Sequence, residues 1–168
     1  MKKSFWLIVF LFLLCSFVEA NRQDKITVET IDKTKLAKII KERKGKILFL
    51  NLWATWCVPC REEFPSIVKL AGEYKDSVEF VGISVDYPDE VDSKIIPFLK
   101  SINADFVSYV NGFGSDEKLI NALDKKWNGA LPATFIFDMH GNKQFFLNGK
   151  QSYEEFKKEI TKILSNTM

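Results

Sequence analysis

The sequence predicts a layered α/β domain in which a central mixed β-sheet is flanked by helices. Strand-like and helix-like runs alternate along most of the chain. The run from Ile47 to Trp53 is almost continuously apolar, which is typical of a central strand covered on both faces. Turn residues at Asp138 to Asn142 separate two further strand-like runs, so the last two strands should form a hairpin and make the sheet mixed.

The amino-terminal end of the chain has the pattern of a targeting segment. Lys2 and Lys3 precede an apolar stretch from Phe5 to Phe17, and Ala20 offers a small residue for cleavage. Because the stretch is shorter than the roughly 20 residues of a spanning helix, we expect a cleaved signal peptide. An uncleaved anchor is the second interpretation. Lipid attachment at Cys15 is the third, since bulky residues stand before that cysteine.

Without the signal peptide of residues 1–20, residues 21–168 suffice for one domain with its own core and are too few for two. We expect this domain in the periplasm or another extracytoplasmic compartment. Contact with a membrane is expected only if the leader stays uncleaved. The net charge of +2 does not favour a nucleic-acid partner.

The first elements of the domain follow from local patterns. Ile26 to Ile31 predicts a short strand, and Asp32 predicts the cap of a helix that ends at Gly45. After the central strand, apolar residues at three- and four-residue spacing from Phe64 to Tyr74 predict a helix. Pro65 should kink this helix because proline removes one backbone hydrogen bond.

The later elements continue the alternation. Strands are predicted at residues 78–85, 106–110, 133–137 and 143–147. A helix over residues 91–102 should be distorted at Pro97, and Ser115 or Asp116 should cap the next helix. Ser152 and Glu155 form a capping box for the last helix.

Two cysteines lie where the central strand meets the helix that follows it. The segment from Trp56 to Cys60 places Cys57 at the first helical turn and Cys60 about one turn inside. Unpaired N–H groups and the helix dipole at this position favour a thiolate, and can lower a cysteine pKa from about 8.5 to roughly 3.5–7.5. We therefore predict a redox-active dithiol, in which an exposed Cys57 attacks and Cys60 resolves the mixed disulfide.

Other uses of the cysteine pair fit the sequence less well. Structural zinc needs about four ligands, whereas the chain has three cysteines and one histidine, His140. Covalent haem attachment needs a histidine where Arg61 stands. A purely structural disulfide stays open, although so short a loop constrains the unfolded chain little. We expect no metal and no cofactor.

Several motifs together resemble the thioredoxin superfamily. They are Trp-Cys-x-Pro-Cys after a buried strand, Pro65 five residues beyond Cys60, and the segment Leu131 to Phe135. Residues 51–57, 61–65 and 132–138 are similar to its extracytoplasmic branch, the TlpA/ResA-like thiol-disulfide oxidoreductases. The resemblance spans roughly residues 26–165 and implies a thioredoxin-like fold with an N-terminal strand-helix extension and a central insertion.

The resemblance also implies roles for residues around the dithiol. In the family the proline that matches Pro132 is cis and faces the dithiol, and the residue before it, here Leu131, pairs with an extended substrate segment. The alternative is that Pro132 merely begins a strand. Trp56, Val58 and Pro59 would complete the substrate-binding surface, with Trp56 partly shielding the active turn.

Glu63 is the predicted proton-transfer group. Cytoplasmic thioredoxins carry a buried aspartate where this chain has Asn51, which cannot titrate. In the branch that this chain resembles, a glutamate one helical turn beyond the second cysteine is implicated, and Glu63 holds that position. A partly buried carboxyl would have a raised pKa and could accept or return a thiol proton. The alternative is a solvated acid that complements the helix dipole.

Three other residues have less specific interpretations. Trp127 lies just ahead of the Leu131 to Phe135 segment, and it either lines the substrate groove or belongs to the core. Arg61 either raises the positive potential near Cys57 or is a solvated helix residue. His140 lies in a turn away from every motif and is assigned no role.

The resemblance implies reduction of disulfides in client proteins with oxidised cysteine pairs, apocytochrome c before haem attachment being the leading family example. Val58-Pro59 is similar to the centres of reducing members, whereas strongly oxidising members carry a histidine there. A membrane thiol-disulfide electron carrier would recharge such a reductant.

The alternatives are a disulfide oxidase or isomerase, a non-enzymatic binding module, and a thiol peroxidase. The chain lacks the Pro-x-x-x-Thr-x-x-Cys sequence of the last of these.

Overall fold

A computed structural model describes residues 26–166 of the chain. Its strands are β1 (Val28–Ile31), β2 (Ile47–Trp53), β3 (Val78–Ser84), β4 (Val107–Asn111), β5 (Ala133–Phe137) and β6 (Lys143–Asn148). Its α-helices are α1 (Lys33–Lys41), α2 (Val58–Glu73), α3 (Ile96–Ser101), α4 (Asp116–Leu123) and α5 (Tyr153–Ser165). The predicted signal peptide, with Cys15, lies outside the described residues.

The six strands form one mixed sheet in the order β1-β4-β3-β2-β5-β6. Along this order the neighbours from β1 to β2 are parallel, whereas β5 is antiparallel to both β2 and β6. Every residue of β2 is buried, as expected for a strand covered on both faces. The predicted fold class, central strand and terminal hairpin are confirmed.

Alternate residues of β2 point to opposite faces of the sheet. Leu48, Leu50 and Leu52 pack in the core that α1 and α4 cover. The odd-numbered residues, beginning with Ile47, lie on the other face, which α2 and α5 cover. Asn51 belongs to this second series, so its polar side chain lies under α2.

The parallel strands β2, β3 and β4 end at the same edge of the sheet. Trp53 pairs in register with Ser84 at the end of β3, and Ser84 pairs with Val110 near the end of β4. The loops that follow these strands therefore lie side by side. The loop after β2 leads into the two cysteines, so this edge positions the site.

Helix α1 is shorter than the sequence predicts. Asp32 caps it as expected, by accepting a hydrogen bond of 2.8 Å from a backbone N–H of the first turn. The helix ends at Lys41 and not at Gly45. Lys44 and Gly45 both adopt positive φ, 49° and 78°. The turn inserts Arg43 into the protein, with 2% of this residue exposed, and this inward turn ends the helix early.

The helix predicted over residues 91–102 consists of a π-helical turn followed by a short α-helix, and a 3₁₀ turn precedes both. A 3₁₀ turn spans Pro88–Glu90, a π-helical turn spans Val91–Ile95, and α3 follows. In the π turn the N–H of Ile96 donates to the carbonyl of Val91, one residue further back than in an α-helix. Pro97 has no N–H to donate, so the predicted distortion is present next to it.

The remaining elements agree with the prediction within one or two residues. Helix α2 passes through Pro65 without a break, and the kink there stays a prediction. Ser115, and not Asp116, caps α4. Ser152 and Glu155 form the predicted capping box of α5. These caps hold helices whose apolar faces cover the sheet.

Candidate active site

The two cysteines form a disulfide at the amino end of α2. The Sγ atoms of Cys57 and Cys60 are 2.05 Å apart and the Cα atoms 5.3 Å apart. Cys57 is the N-cap residue of α2, and its sulfur accepts a hydrogen bond of 3.3 Å from the Cys60 N–H. Cys60 is fully buried, whereas 6% of Cys57 is exposed. The sequence predicted a more exposed Cys57, but Cys57 is still the cysteine of the pair that reaches solvent.

The amino end of α2 favours negative charge on the Cys57 sulfur. Its first turn holds no acidic residue, and N–H groups at a helix start have no carbonyl acceptor one turn earlier, so that of Cys60 donates to the Cys57 sulfur. These groups and the helix dipole stabilise an anion at the N-cap. Once the disulfide is reduced, Cys57 therefore has an environment suited to a thiolate, which Cys60 inside the helix does not share.

A buried carboxylate anchors the loop before the cysteines. Asp86 accepts hydrogen bonds from the Thr55 N–H at 2.8 Å and from the Thr55 hydroxyl at 2.7 Å. The Ser84 hydroxyl donates to the same carboxylate. These bonds tie the loop after β3 to the loop that carries Trp56 and Cys57. Our sequence reasoning missed Asp86, although an acid just beyond a buried strand was an available signal.

Glu63 is buried between α2 and the sheet, with 2% of the residue exposed. The Gln151 backbone N–H donates to Oε2 at 3.0 Å, and Asn51 Nδ2 donates to Oε1 at 2.8 Å. Burial raises the pKa of Glu63 from 4.5 to about 7, against the opposing effect of these hydrogen bonds and of the Lys150 charge. The predicted burial and raised pKa are present, and the alternative of a solvated acid is wrong.

Asn51 and Thr134 complete the surroundings of Glu63. The two residues are directly opposite in the antiparallel ladder of β2 and β5, and Asn51 Nδ2 also donates to Thr134 Oγ1 at 3.0 Å. Asn51 Oδ1 is buried and has no donor among the described residues. Cys60 lies three residues before Glu63, on nearly the same helix face. The carboxyl is thus placed one turn from the buried sulfur.

The Leu131–Pro132 peptide bond is cis, as the resemblance implies. The Pro132 carbonyl accepts a hydrogen bond of 2.8 Å from the Gly149 N–H. Leu131 packs against the apolar cluster that contains Cys57 and Cys60. Its own backbone N–H and carbonyl make no hydrogen bond to any other residue in the range 26–166. An extended partner segment could therefore bond to this backbone beside the dithiol.

Trp127 belongs to the core and also shapes the loop before Pro132. It is 4% exposed, and its ring meets that of Phe135 edge to face, with centroids 5.7 Å apart. The indole N–H donates to the Ala130 carbonyl at 2.9 Å. The core interpretation is confirmed, and the hydrogen bond holds the turn that leads to Leu131.

Apolar side chains surround the disulfide on the outside. Trp56 is 66% exposed and Val58 60% exposed, and Pro59 is exposed as well. Trp56 therefore projects into solvent and shields the turn less than the sequence predicts. Trp53 is instead fully buried, and packs edge to face on Phe64. Exposed apolar groups beside a reactive sulfur suit contact with a protein partner.

Arg61 lies next to the dithiol, where its backbone N–H donates to the Cys57 carbonyl at 3.1 Å, whereas His140 lies elsewhere. The Arg61 guanidinium lies over the Phe98 ring, 5.8 Å from its centroid. His140 is in the β5–β6 turn, where its backbone N–H donates to Asp138 Oδ1 at 2.8 Å.

Within residues 26–166, no group of three or more His, Cys, Asp or Glu side chains is placed to hold a metal ion. No helix in that range has the length and apolar character needed to cross a membrane.

Comparison with known proteins points to one family. The model of the AhpC/TSA family matches residues 20–144. A protein named thiol-disulfide oxidoreductase ResA, from Bacillus thuringiensis subsp. konkukian, is 30% identical over 125 residues, which cover 74% of this chain and 67% of that protein. Thioredoxin-like protein YneN of Bacillus subtilis is 28% identical over 142 residues, covering 84% and 78% of the two chains.

Solved structures show the same similarity. A thiol:disulfide interchange protein of the thioredoxin family from Chlorobium tepidum superposes with a TM-score of 0.62 at 26% identity, over 73% of this chain and 82% of its own. A thioredoxin-related protein from Neisseria meningitidis serogroup B gives a TM-score of 0.61 at 26% identity, over 72% and 87% of the two chains.

Proposed function

This chain belongs to the AhpC/TSA family, as a thioredoxin-like thiol-disulfide oxidoreductase, and we propose that it reduces disulfides in client proteins outside the cytoplasm. One observation carries the proposal: Cys57 is the N-cap of α2 and Cys60 is buried behind it. An outer sulfur in an anion-stabilising position and an inner sulfur within bonding reach are the two parts that disulfide exchange requires.

The proposed reaction consists of two exchanges. In the reduced protein the Cys57 thiolate attacks one sulfur of the client disulfide, forms a mixed disulfide and releases the other client sulfur as a thiolate. The Cys60 thiolate then attacks the Cys57 sulfur and releases the second client thiolate. The client gains two electrons, and the protein ends in the disulfide form with Cys57 bonded to Cys60.

Glu63 is proposed to move the proton of the buried thiol. Cys60 must lose its proton before it can attack, and no water reaches a fully buried sulfur directly. Because the pKa of Glu63 is about 7, the carboxyl is close to half ionised at neutral pH and can accept that proton and return it. The client leaves as two thiolates. Solvent protonates them and takes up the proton that Glu63 received from Cys60.

Two surfaces are proposed to hold the client during exchange. The free backbone groups of Leu131 pair with an extended client segment, next to Pro132. Trp56, Val58 and Pro59 provide exposed apolar contacts on the turn that carries Cys57. Both surfaces adjoin Cys57, the cysteine of the pair that reaches solvent.

The direction of electron flow and the compartment belong to the proposal as well. Support comes from the Val58-Pro59 centre, which lacks the histidine of strongly oxidising relatives, and from the signal-like pattern of residues 1–20. A membrane thiol-disulfide electron carrier would regenerate the reduced dithiol. Apocytochrome c before haem attachment is the leading proposed client. Mass spectrometry of the mature amino terminus checks the proposed cleavage.

Cysteine variants test the proposed mechanism. In insulin reduction, Cys57→Ser should abolish activity, because oxygen cannot form the mixed disulfide. Cys60→Ala should retain the first exchange and leave the client covalently joined to Cys57, which non-reducing electrophoresis and mass spectrometry detect. Full insulin reduction by Cys57→Ser would overturn the assignment of the lead sulfur.

Equilibration with glutathione tests the direction. A reductant should have a potential near the thioredoxin value of about −270 mV. A value near about −120 mV would favour the alternative of a disulfide oxidase or isomerase. The experiment measures the reduced fraction of the Cys57 and Cys60 pair across a series of glutathione ratios.

A further inference from the structure

A groove opens beside the dithiol on the side of β2 away from Leu131. Its volume is about 720 Å³, and it lies at the edge where the parallel strands end. The loops after β2, β3 and β4 contribute Trp56, Tyr87 and Gly112 to its lining. Trp56 directly precedes Cys57 in the chain, so the groove begins one residue away from the reacting cysteine.

Exposed aromatic side chains form part of this lining. Tyr87 is 73% exposed and Trp56 66%, which places both among the four most exposed large apolar residues of the described chain. Glycine backbone lines another part. A Cβ on Gly112 would lie 2.1 Å from Thr30 Cγ2, so this loop can approach β1 closely because residue 112 is glycine. Gly114 also lines the groove, and a Cβ there would meet no atom within 4 Å, so the groove is open beside this residue.

The groove is acidic. Asp86 and Asp116 line it, and no cationic side chain does. The bordering segments 86–94 and 116–118 contain six acidic and two basic residues, whereas residues 26–166 as a whole contain 20 of each. Asp86 is buried and bonded to Thr55 and Ser84, whereas Asp116 accepts one bond from Asn111 and is exposed. We call this surface, defined by Trp56, Tyr87 and Asp116, the acidic groove.

We propose that the acidic groove docks the client's own polypeptide beside its disulfide and selects a segment that carries Lys or Arg. The inference rests on the proposed function, because it concerns the clients of the same dithiol. A cation beside Trp56 and Tyr87 gains cation–π attraction, and Asp116 adds charge complementarity. The Leu131 backbone then holds one side of the client cysteine while the acidic groove holds residues on the other side.

Two synthetic peptides with the same internal Cys-x-x-Cys disulfide test the inference. Two flanking positions are Lys in one peptide and Glu in the other. Each peptide oxidises the reduced protein, so that its own disulfide becomes two thiols while Cys57 and Cys60 form theirs. We expect the Lys peptide to have a second-order rate constant about fivefold higher at low ionic strength, and a smaller advantage at high salt.

Variants separate the acidic groove from general surface effects. Tyr87→Ala and Asp116→Asn should each lower the rate constant of the Lys peptide about threefold. Val107→Ala and Glu154→Gln change an exposed apolar residue and an exposed acid outside the groove, and should leave that rate constant unchanged. 2-Hydroxyethyl disulfide is too small to fill the groove, and should react equally with all five proteins.

The outcomes separate the two hypotheses. Equal rate constants for the Lys and Glu peptides, or equal losses in the control variants, overturn the docking inference and leave the proposed function intact. Failure of the unsubstituted protein to react with the small disulfide would contradict the proposed function itself.

Discussion

Glu63 is subject to opposing influences that place its titration near neutral pH. Burial raises its pKa to about 7, while donors from Gln151 and Asn51 and the charge of Lys150 act against that rise. A fully solvated glutamate would be ionised at pH 7 and would hold a thiol proton poorly. The surroundings of this carboxyl therefore suit a group that exchanges protons with a buried sulfur.

Glu63→Gln should slow the resolution of the mixed disulfide by Cys60, because the amide cannot accept a proton. General acid–base groups contribute roughly 10²- to 10⁴-fold, so we expect a loss of about 100-fold at pH 7. Stopped-flow measurement of client release between pH 5 and 9, with parallel titration of both thiols, checks this. Glu62→Gln is the matched control, since Glu62 is an exposed neighbour that pairs with Lys150. Unchanged titration of both thiols would remove Glu63 from the mechanism.

Asn51 shows how far residue-level reasoning reaches. The sequence places Asn51 among the odd-numbered residues of β2. It also shows that the group at this position is an amide, which does not titrate. Its bonds to Glu63 and Thr134 depend on α2 and β5 lying against β2. The polar position was visible in the sequence, whereas its partners 12 and 83 residues away were not.

At the scale of elements, the loops after β2 and β3 act as one unit. The carboxylate of Asp86 accepts three hydrogen bonds, two from Thr55 and one from Ser84, and 3% of the residue is exposed. Buried donors that lose such an acceptor are costly because water cannot replace it. The position of the cysteine turn relative to the sheet therefore depends on a residue that is remote in sequence from both cysteines.

Asp86→Ala should destabilise the fold by roughly 2–4 kcal/mol, since several charge-assisted hydrogen bonds are lost and their donors stay buried. Urea unfolding of the oxidised protein measures this. Asp89→Asn, at an exposed position of the neighbouring 3₁₀ turn, is the control and should change the free energy of unfolding by less than about 0.5 kcal/mol. A similarly small change in Asp86→Ala would contradict an anchoring role.

Where a capping residue sets the end of a helix, the observed end matches the sequence prediction. Where burial of a side chain sets it, the observed end differs from the prediction. Asp32, Ser152 and Glu155 cap their helices as the sequence predicts. Helix α1 nevertheless ends before Gly45, because Arg43 turns inward and ion-pairs with Glu79. In the sequence, an arginine in the charged run Lys41-Glu42-Arg43-Lys44 is typical of a solvated side chain, so its burial was not predictable from composition.

At the scale of the whole molecule, the stability of the fold should depend on the protonation of Glu63. The unfolded chain releases this proton near pH 4.5, and the folded chain near pH 7. Between these values the folded state binds more protons, so the contribution of Glu63 to stability falls as pH rises. The full effect is a loss of roughly 3 kcal/mol above pH 7 relative to acid pH.

Urea unfolding of the oxidised protein at several values from pH 4.5 to 8 measures this dependence. In Glu63→Gln the free energy of unfolding should lack the fall with rising pH that Glu63 causes. Glu62→Gln should keep the pH dependence of the unsubstituted protein. The unsubstituted protein and Glu63→Gln differ in Glu63 alone, and Glu62→Gln controls for the loss of an exposed carboxyl that pairs with Lys150. Identical slopes in all three would show that the folded-state pKa of Glu63 is not raised.

The arrangement of the molecule places the dithiol and both proposed client surfaces at one edge of the sheet, while Glu63 lies between α2 and the sheet. Parallel β2, β3 and β4 bring the dithiol turn, the Asp86 loop and the acidic groove together. Antiparallel β5 brings Leu131 and Pro132 to the other side of the same turn. The client surface is thus divided between two sides of β2, which fits a substrate chain that passes across the sulfur.

The sequence by itself determined the α/β class, the buried central strand, the dithiol at a helix start and the glutamate one turn beyond it. These features depend on residues that are neighbours in the chain, where periodicity, capping and turn chemistry operate over a few positions. The tertiary structure decided that Glu63 is held by Gln151, that Asp86 anchors Thr55, and that an acidic groove adjoins Cys57. Each of these contacts joins segments 30 or more residues apart, and their packing fixes burial, charge and hydrogen bonding in ways that local patterns do not encode.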